Sequence, residues 1–178
     1  MPANRDRAFG PDVEMRRATP ADAPAMALAH LDSIRSLGPA FYEAELVDGW
    51  SAAVTPDMYV RAMAEGEVFF IAVAPLDGQP AVLGFSSYVP GRGDDGASVY
   101  VRGSAARQGL GRALWRLAEA HARAQGAAAI TIEASLAGLA FYRALGFVEI
   151  GPCDVRLHSG ASIPCVVMRK PLAGPGAE

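Results

Sequence analysis

Residues 106–115 read ARQGLGRALW. They follow ASVYVR (97–102), whose alternating small, β-branched and aromatic residues predict a strand. They open a segment from Gly109 to Gln125 in which Leu110, Leu114, Leu117 and His121 recur on one helical face. Gly126 stops that helix, and ITIEAS (130–135) reads as the next strand. A strand, a helix and a strand in this order predict a parallel pair joined by a right-handed crossover over residues 97–135. The turn itself leaves the first N–H groups of the helix without intrahelical partners, at the positive end of its dipole. Glycine removes Cβ from the approach, and Arg107 and Arg112 add charge. From these residues alone two readings stand: a site for a phosphate or pyrophosphate, or a glycine-eased turn with solvated arginines. The P-loop pattern is absent, since no Lys-Ser or Lys-Thr occurs, and Leu114 breaks the dinucleotide-binding fingerprint.

Working toward the N-terminus, Ala81–Pro90 and Val68–Pro75 are β-rich runs joined by a turn at Asp77-Gly78, a hairpin pattern. Before them lie three helical stretches. The first starts at Thr19-Pro20-Ala-Asp22, a box-like helix start, and carries Ala23, Ala27, Leu31 and Ile34 on one face until Gly38-Pro39. The second covers Phe41–Asp48, and the third runs from Thr55-Pro56 to Gly66. A short strand over Val13–Ala18 precedes all three. Toward the C-terminus, 136–145 predicts a short helix closed by Gly146, and 147–155 and 162–170 form a last antiparallel pair. The order β, helices, β, β, β, α, β, α, β, β specifies an α/β fold. Residues 1–12 read as a loose leader, 13–171 as one domain, and 172–178 as a flexible tail.

Composition narrows the function. With 51% hydrophobic and 20% charged residues in 178, the chain can bury a substantial core. A net charge of −3 and a pI near 5.6 argue against a general nucleic-acid binder. The N-terminal stretch lacks the apolar run of a signal peptide, and no segment is long enough to span a bilayer, so a cytoplasmic protein with no membrane partner is expected. Two cysteines, Cys153 and Cys165, are too few for a disulfide scaffold, and reduced packing thiols are the expectation. A redox-sensitive pair, or a zinc site completed by His158, are the alternatives, although the spacing matches no common zinc pattern.

Two motifs together point further. YVRGSAARQGLGRALW (100–115) resembles motif A of the GCN5-related N-acetyltransferases (GNAT), and SLAGLAFYRALGF (135–147) resembles their motif B. Gly109 and Gly111 match the glycines of the family's Q/R-x-x-G-x-G/A loop, while Ala106 departs from its leading Q/R position and leaves Arg107 and Gln108 as neighbouring donors. Phe141, Tyr142, Gly146 and Phe147 match motif B, and Ser135 stands where many members carry Asn.

The resemblance implies a mixed, mostly antiparallel sheet with a central parallel βαβ unit and helices on both faces. It implies acetyl-CoA as cosubstrate and no metal, with the pyrophosphate gripped by amides from Arg107 through Gln108, Gly109, Leu110 and Gly111 to Arg112. It also implies a β-bulge at the end of the fourth strand that leaves main-chain N–H groups unpaired, Val101 supplying one to the thioester carbonyl. Tyr100, Val101, Ser135 and Phe141 are then expected around the pantetheine, between strands that splay. Tyr142 takes the position of the tyrosine that protonates the leaving thiolate; read without the motif, it is a packed helix tyrosine.

Glu133 is the best-placed general base on the fifth strand, against the plainer reading of a strand carboxylate paired with arginine. Tyr88, Glu43 and Asp48 are further candidates. Tyr42 and Trp50 are expected either as an aromatic wall for the acceptor or as core, and the acids of 92–96 either as amine ligands or as a solvated turn. His30 and His121 fall on helices, where partly buried, satisfied histidines are the ordinary outcome. The function expected is N-acetyl transfer to a primary amine of a small molecule or protein. A catalytically silent acyl-CoA sensor, or an enzyme using another acyl donor, are the alternatives. A homodimer is compatible with the family.

Overall fold

Residues 12–91, 93–157 and 160–172 are described by the computed structural model. Strand β1 (Glu14–Arg17) leads into α1 (Ala23–Leu37), α2 (Ala44–Ala52) and α3 (Pro56–Ala64). The hairpin β2 (Val68–Leu76) and β3 (Gln79–Val89) follows, then β4 (Gly96–Val101), α4 (Leu110–Ala124), β5 (Ala129–Ser135), α5 (Leu139–Ala144), β6 (Val148–Arg156) and β7 (Ser162–Pro171). The expected α/β fold is present, and local chemistry explains its edges. The Asp22 carboxylate accepts the Thr19 N–H at 2.8 Å, holding the turn that starts α1. The second helix begins at Ala44, later than its apolar pattern predicts, because a short 3₁₀ turn over Gly38–Ala40 intervenes.

The strands form two antiparallel sheets, ordered β1-β2-β3-β4 and β5-β7-β6. The parallel pairing expected between β4 and β5 contracts to one bridge, Asp95 with Ile130. There Asp95 N–H donates to Ala129 O at 3.3 Å, and Thr131 N–H to Asp95 O at 2.9 Å. The acids expected to serve an amine or solvent are instead the clasp at this closed end. Asp94 accepts bonds from Thr131 and Arg169, and Asp95 from the Tyr88 hydroxyl and the Gly91 N–H. Arg92 lies outside the described residues. Past the clasp the two strands diverge.

The β-bulge expected in β4 is not there. β3 and β4 stay in register from Val89↔Gly96 to Gly84↔Val101, and the shift falls on the other side of β3, where Leu83 is skipped against β2. It is the divergence from β5 that leaves the outer edge of β4 unpaired.

Period-two alternation sorts the side chains of β2–β4 onto two faces. Phe69, Ile71, Phe85 and Tyr100 pack under α1 and α3, while Tyr88, Ala97 and Val99 pack toward α4 and α5. On α4 the fully buried stripe is Leu110, Leu114, Trp115, Ala118 and Ala122, so Trp115 rather than Leu117 or His121 forms its centre. Leu172, expected in the tail, is buried, and its N–H bonds Ala128 O at 2.8 Å; the domain therefore extends through it.

The two cysteines are not reduced thiols. Cys153 and Cys165 are directly opposed across β6 and β7, with Cα atoms 4.9 Å apart, and form a disulfide. That spacing lies within disulfide reach. Because a one-residue slip of the hairpin would send the two side chains to opposite faces, the register decides it. His158, the third candidate zinc ligand, lies outside the described residues, and both sulfurs are consumed by the bond.

Candidate active site

The open end of the β4/β5 divergence is a cavity of about 610 Å³. Motif A borders it at one end with Ala106, Arg107, Gly109, Gly111 and Arg112. The backbone there alternates in hand: Arg107 has φ 63° and Gly109 φ 85°, with helical residues following. Successive N–H groups in such an alternation converge on a concavity that suits an anion. Gly109 caps α4 without any side-chain hydrogen bond, so the first N–H groups of the helix have no side-chain cap.

The Gln108 side chain plays a part other than that expected. Gln108 turns its amide back to Ser104 O at 3.0 Å, and Leu110 is 2% exposed, so its side chain belongs to the core and only its N–H faces the turn. Gly111 is glycine for packing: a Cβ there would lie 3.1 Å from the Phe141 ring. The base of the loop is held from α1, where Asp32 accepts the Gly103 N–H at 2.8 Å and pairs with Arg102.

Along the cavity the edge of β4 faces Ala134, Ser135 and α5. Val99 N–H donates to the Tyr142 hydroxyl oxygen at 3.1 Å, so the tyrosine stands in the gap where β5 would otherwise pair. By the alternation of an antiparallel ladder, Val101 N–H points out of the same edge. Burial pushes the Tyr142 hydroxyl well above the usual phenol range, and nearby Tyr100 adds to the shift, so it keeps its proton at neutral pH. Its ring is fixed edge-on by Phe141 at 5.1 Å and Phe147 at 5.4 Å.

The opposite wall comes from Ile34 and Leu37 of α1, Phe41, Trp50 of α2, and Val155 and Ile163 of the β6–β7 hairpin. Tyr100 completes it, its ring 3.8 Å from that of His30 and its hydroxyl pushed up to about 12 by burial. His30 is itself buried, bonds the Tyr59 hydroxyl through Nδ1 at 2.7 Å, and is driven down to about 3 by desolvation. It is therefore not the satisfied histidine expected, because its Nε2 has no partner.

Glu133 is exposed at the cavity rim. Tyr88 is committed to Asp95 on the other face, and its hydroxyl sits up at about 12 through burial and that bond. Glu43 and Asp48 line a neighbouring groove with Arg35. Tyr42 is structural: it donates to Pro164 O at 3.0 Å and accepts Leu136 N–H at 2.8 Å, while its ring abuts Trp50 edge-on.

A family model for the acetyltransferase (GNAT) domain matches residues 40–171. The chain belongs to the GNAT acetyltransferase family. Solved GNAT structures align over nearly its whole length. A GCN5-related N-acetyltransferase of Rhodopseudomonas palustris shares 26% identity at a TM-score of 0.77, over 92% of this chain and 98% of that one. The PaiA N-acetyltransferase of Thermoplasma acidophilum, in complex with coenzyme A, shares 14% at 0.68, over 90% and 99%. A GNAT superfamily phosphinothricin acetyltransferase of Sinorhizobium meliloti, in complex with acetyl-CoA, shares 22% at 0.66, over 94% and 92%. No curated protein matches the sequence significantly. Among the described residues of this GNAT domain, no helix is long and apolar enough to cross a membrane.

Sequence reasoning placed the acceptor pocket against the first helices but missed Ser98, which lines the cavity, and the share of its apolar wall that comes from the last hairpin. The alternation of β4 could have placed Ser98 on the Tyr100 face. Nothing local could have brought Ile163 to Leu37.

Proposed function

We propose that this GNAT protein is an N-acetyltransferase that moves the acetyl group of acetyl-CoA onto a primary amine by direct attack. The observation that carries the proposal is the conjunction of the alternating-hand loop at Arg107–Gly109 with an unpaired β4 edge holding the Tyr142 hydroxyl. The coenzyme A and acetyl-CoA complexes of the structural relatives support it. When bound, acetyl-CoA supplies an acyl group activated as a thioester.

The residues present fit that group. The amide N–H groups of the loop and of the first turn of α4 would donate to the pyrophosphate oxygens, with Arg107 and Arg112 beside them. Val101 N–H polarises an acyl oxygen lying against the β4 edge. Tyr142, held by Val99 and kept protonated by burial, donates to the departing sulfur. A coenzyme A thiol ionises near the cysteine value of about 8.5, so this donation needs to supply only the low end of general-acid assistance.

Calorimetric titration with acetyl-CoA tests the reading, with Gly109→Glu as the control. The variant places a carboxylate at a position of φ 85° inside the anion loop. Micromolar binding by the parent chain, lost in the variant, is expected. Absence of binding by folded parent protein refutes the acetyltransferase and sensor readings together.

A further inference from the structure

The two ends of the cavity differ in chemistry. Its basic lining is at motif A, where Arg107 and Arg112 stand beside the anion loop. On the α1 side of β4 the lining is apolar: Leu37 at the end of α1, Phe41, Trp50 of α2, Tyr100 of β4, and Val155 and Ile163 of the last hairpin. Two polar groups that reach this wall are already engaged. The Ser98 hydroxyl pairs with that of Ser87 at 2.8 Å, and the Cys165 sulfur is bonded to Cys153. Among the described lining residues the one acid is Glu133, exposed at the rim. Ile132 and Ala134 pack toward α4 and α5, so the alternation of β5 turns Glu133 to the α1 side. Counted from the Asp95–Ile130 bridge, Ser98 and Glu133 are each three residues along their strands, so they stand level on the two sides of the divergence.

Resting on the acetyltransferase reading, we infer that the acceptor is a primary amine carried on an uncharged apolar body, its nitrogen drawn to the β4 edge by Glu133 and its body packed against Leu37, Phe41, Trp50, Val155 and Ile163.

The wall selects by what it can solvate. A hydrocarbon body leaves water for contact with five apolar side chains, two of them aromatic, and gains in proportion to the area covered. A carboxylate or a second ammonium on that body would be stripped of water against the same side chains, which offer it no counter-charge. The single ammonium of the acceptor does not meet this cost, because it stays at the rim beside the exposed Glu133 carboxylate. Tyr142 packs on the other face of the sheet and reaches the β4 edge from α5, so the amine and the proton donor approach that edge from different sides.

The wall is also preformed. The Trp50 ring is held edge-on by Tyr42 at 6.0 Å and by His30 at 6.5 Å. Tyr42 in turn donates to Pro164 O, between Ile163 and Cys165, and so ties the helical half of the wall to β7. Val155 and Ile163 are partners across the hairpin, on the same face as the Cys153–Cys165 bond and two rungs from it. A wall fixed in this way loses little affinity to ordering when an acceptor arrives.

The test compares four acceptors: 2-phenylethylamine; phenylalanine, which adds a carboxylate to the same body; 1,4-diaminobutane, which carries a second ammonium; and ethylamine, which lacks the body. Coenzyme A release from acetyl-CoA gives kcat/KM, and calorimetry on protein saturated with coenzyme A gives amine affinity by a readout that needs no transfer. By both measures 2-phenylethylamine should lead the other three by about 10- to 100-fold, the range that burial of a phenyl group supplies. Phe41→Ala, at an exposed position, should raise KM for 2-phenylethylamine about tenfold with kcat kept, the mark of lost uniform binding. Leu37→Glu should reverse the order in favour of 1,4-diaminobutane, with acetyl-CoA affinity unchanged in both variants. If 2-phenylethylamine binds and reacts no better than phenylalanine or 1,4-diaminobutane, the apolar acceptor is overturned, and release of coenzyme A with any of the four leaves the acetyltransferase reading intact. Binding in the expected order without release of coenzyme A supports the apolar site and refutes the transfer.

Discussion

Acidification from pH 7 to 5 should destabilise this protein chiefly through His30. Its imidazole is 5% exposed and held neutral by desolvation down to about pH 3, while an unfolded histidine titrates near 6.5. The folded-state pKa is depressed, so above pH 6.5 both states carry a neutral ring and there is no penalty. Below it the unfolded chain takes up a proton that the folded chain refuses, and stability falls by about 1.4 kcal/mol per pH unit. Between pH 7 and 5 this amounts to about 2 kcal/mol, a figure insensitive to the folded value as long as that lies well below 5. For a chain of this size it corresponds to a Tm lowered by roughly 4–8 °C.

The assay is thermal unfolding of parent and His30→Gln proteins at both pH values, read as the difference of differences. His121, shifted down by burial, and Glu67, shifted up, contribute equally to both proteins and cancel. Asp22, held at about 2 chiefly by its bond to Arg16, loses its contribution only below the window. The His30→Gln protein should show the smaller acid shift by the stated amount. Parallel curves would refute the argument and would mean that His30 charges in place, finding a partner for Nε2. Since the His30 ring supports Tyr100, which lines the cavity, loss of the fold and loss of the site should coincide.

Three further outcomes are expected. Tyr142→Phe keeps the ring contacts but removes the acceptor of Val99 N–H and the proton donor; kcat should fall about 100-fold with acetyl-CoA affinity unchanged, and a loss under threefold would contradict the assigned role. The same change should cost about 1 kcal/mol of stability, read as a Tm lower by roughly 2–4 °C. Reduction of Cys153–Cys165, twelve positions apart, should lower stability by at most about 3 kcal/mol, checked by melts with and without a phosphine reductant.

Much of the fold was legible because its signals are local. Apolar period and breaker residues located each helix and strand to within a few positions, and Gly109 and Gly126 bracketed α4 through backbone needs of their own residues. Motif A was legible for the same reason, since a strand, a turn and a helix start are contiguous. What failed were statements about pairing. Nothing in ASVYVR says whether its outer edge meets ITIEAS along its length or at one bridge, because that depends on Tyr142 standing in the gap. The cysteines were misread because the hairpin register, not the spacing in the chain, sets them opposite each other.

The sequence by itself determined the order of elements, the glycine turn and the two motif-bearing segments, all of which rest on interactions within a few residues of each other. Only the tertiary structure decided that Gly111 serves Phe141, that Asp94 and Asp95 clasp the closed end, and that Ser87 and Ser98 stand directly opposite each other. Each of those depends on which strands are neighbours and in what register, a choice made by the burial of whole faces against one another.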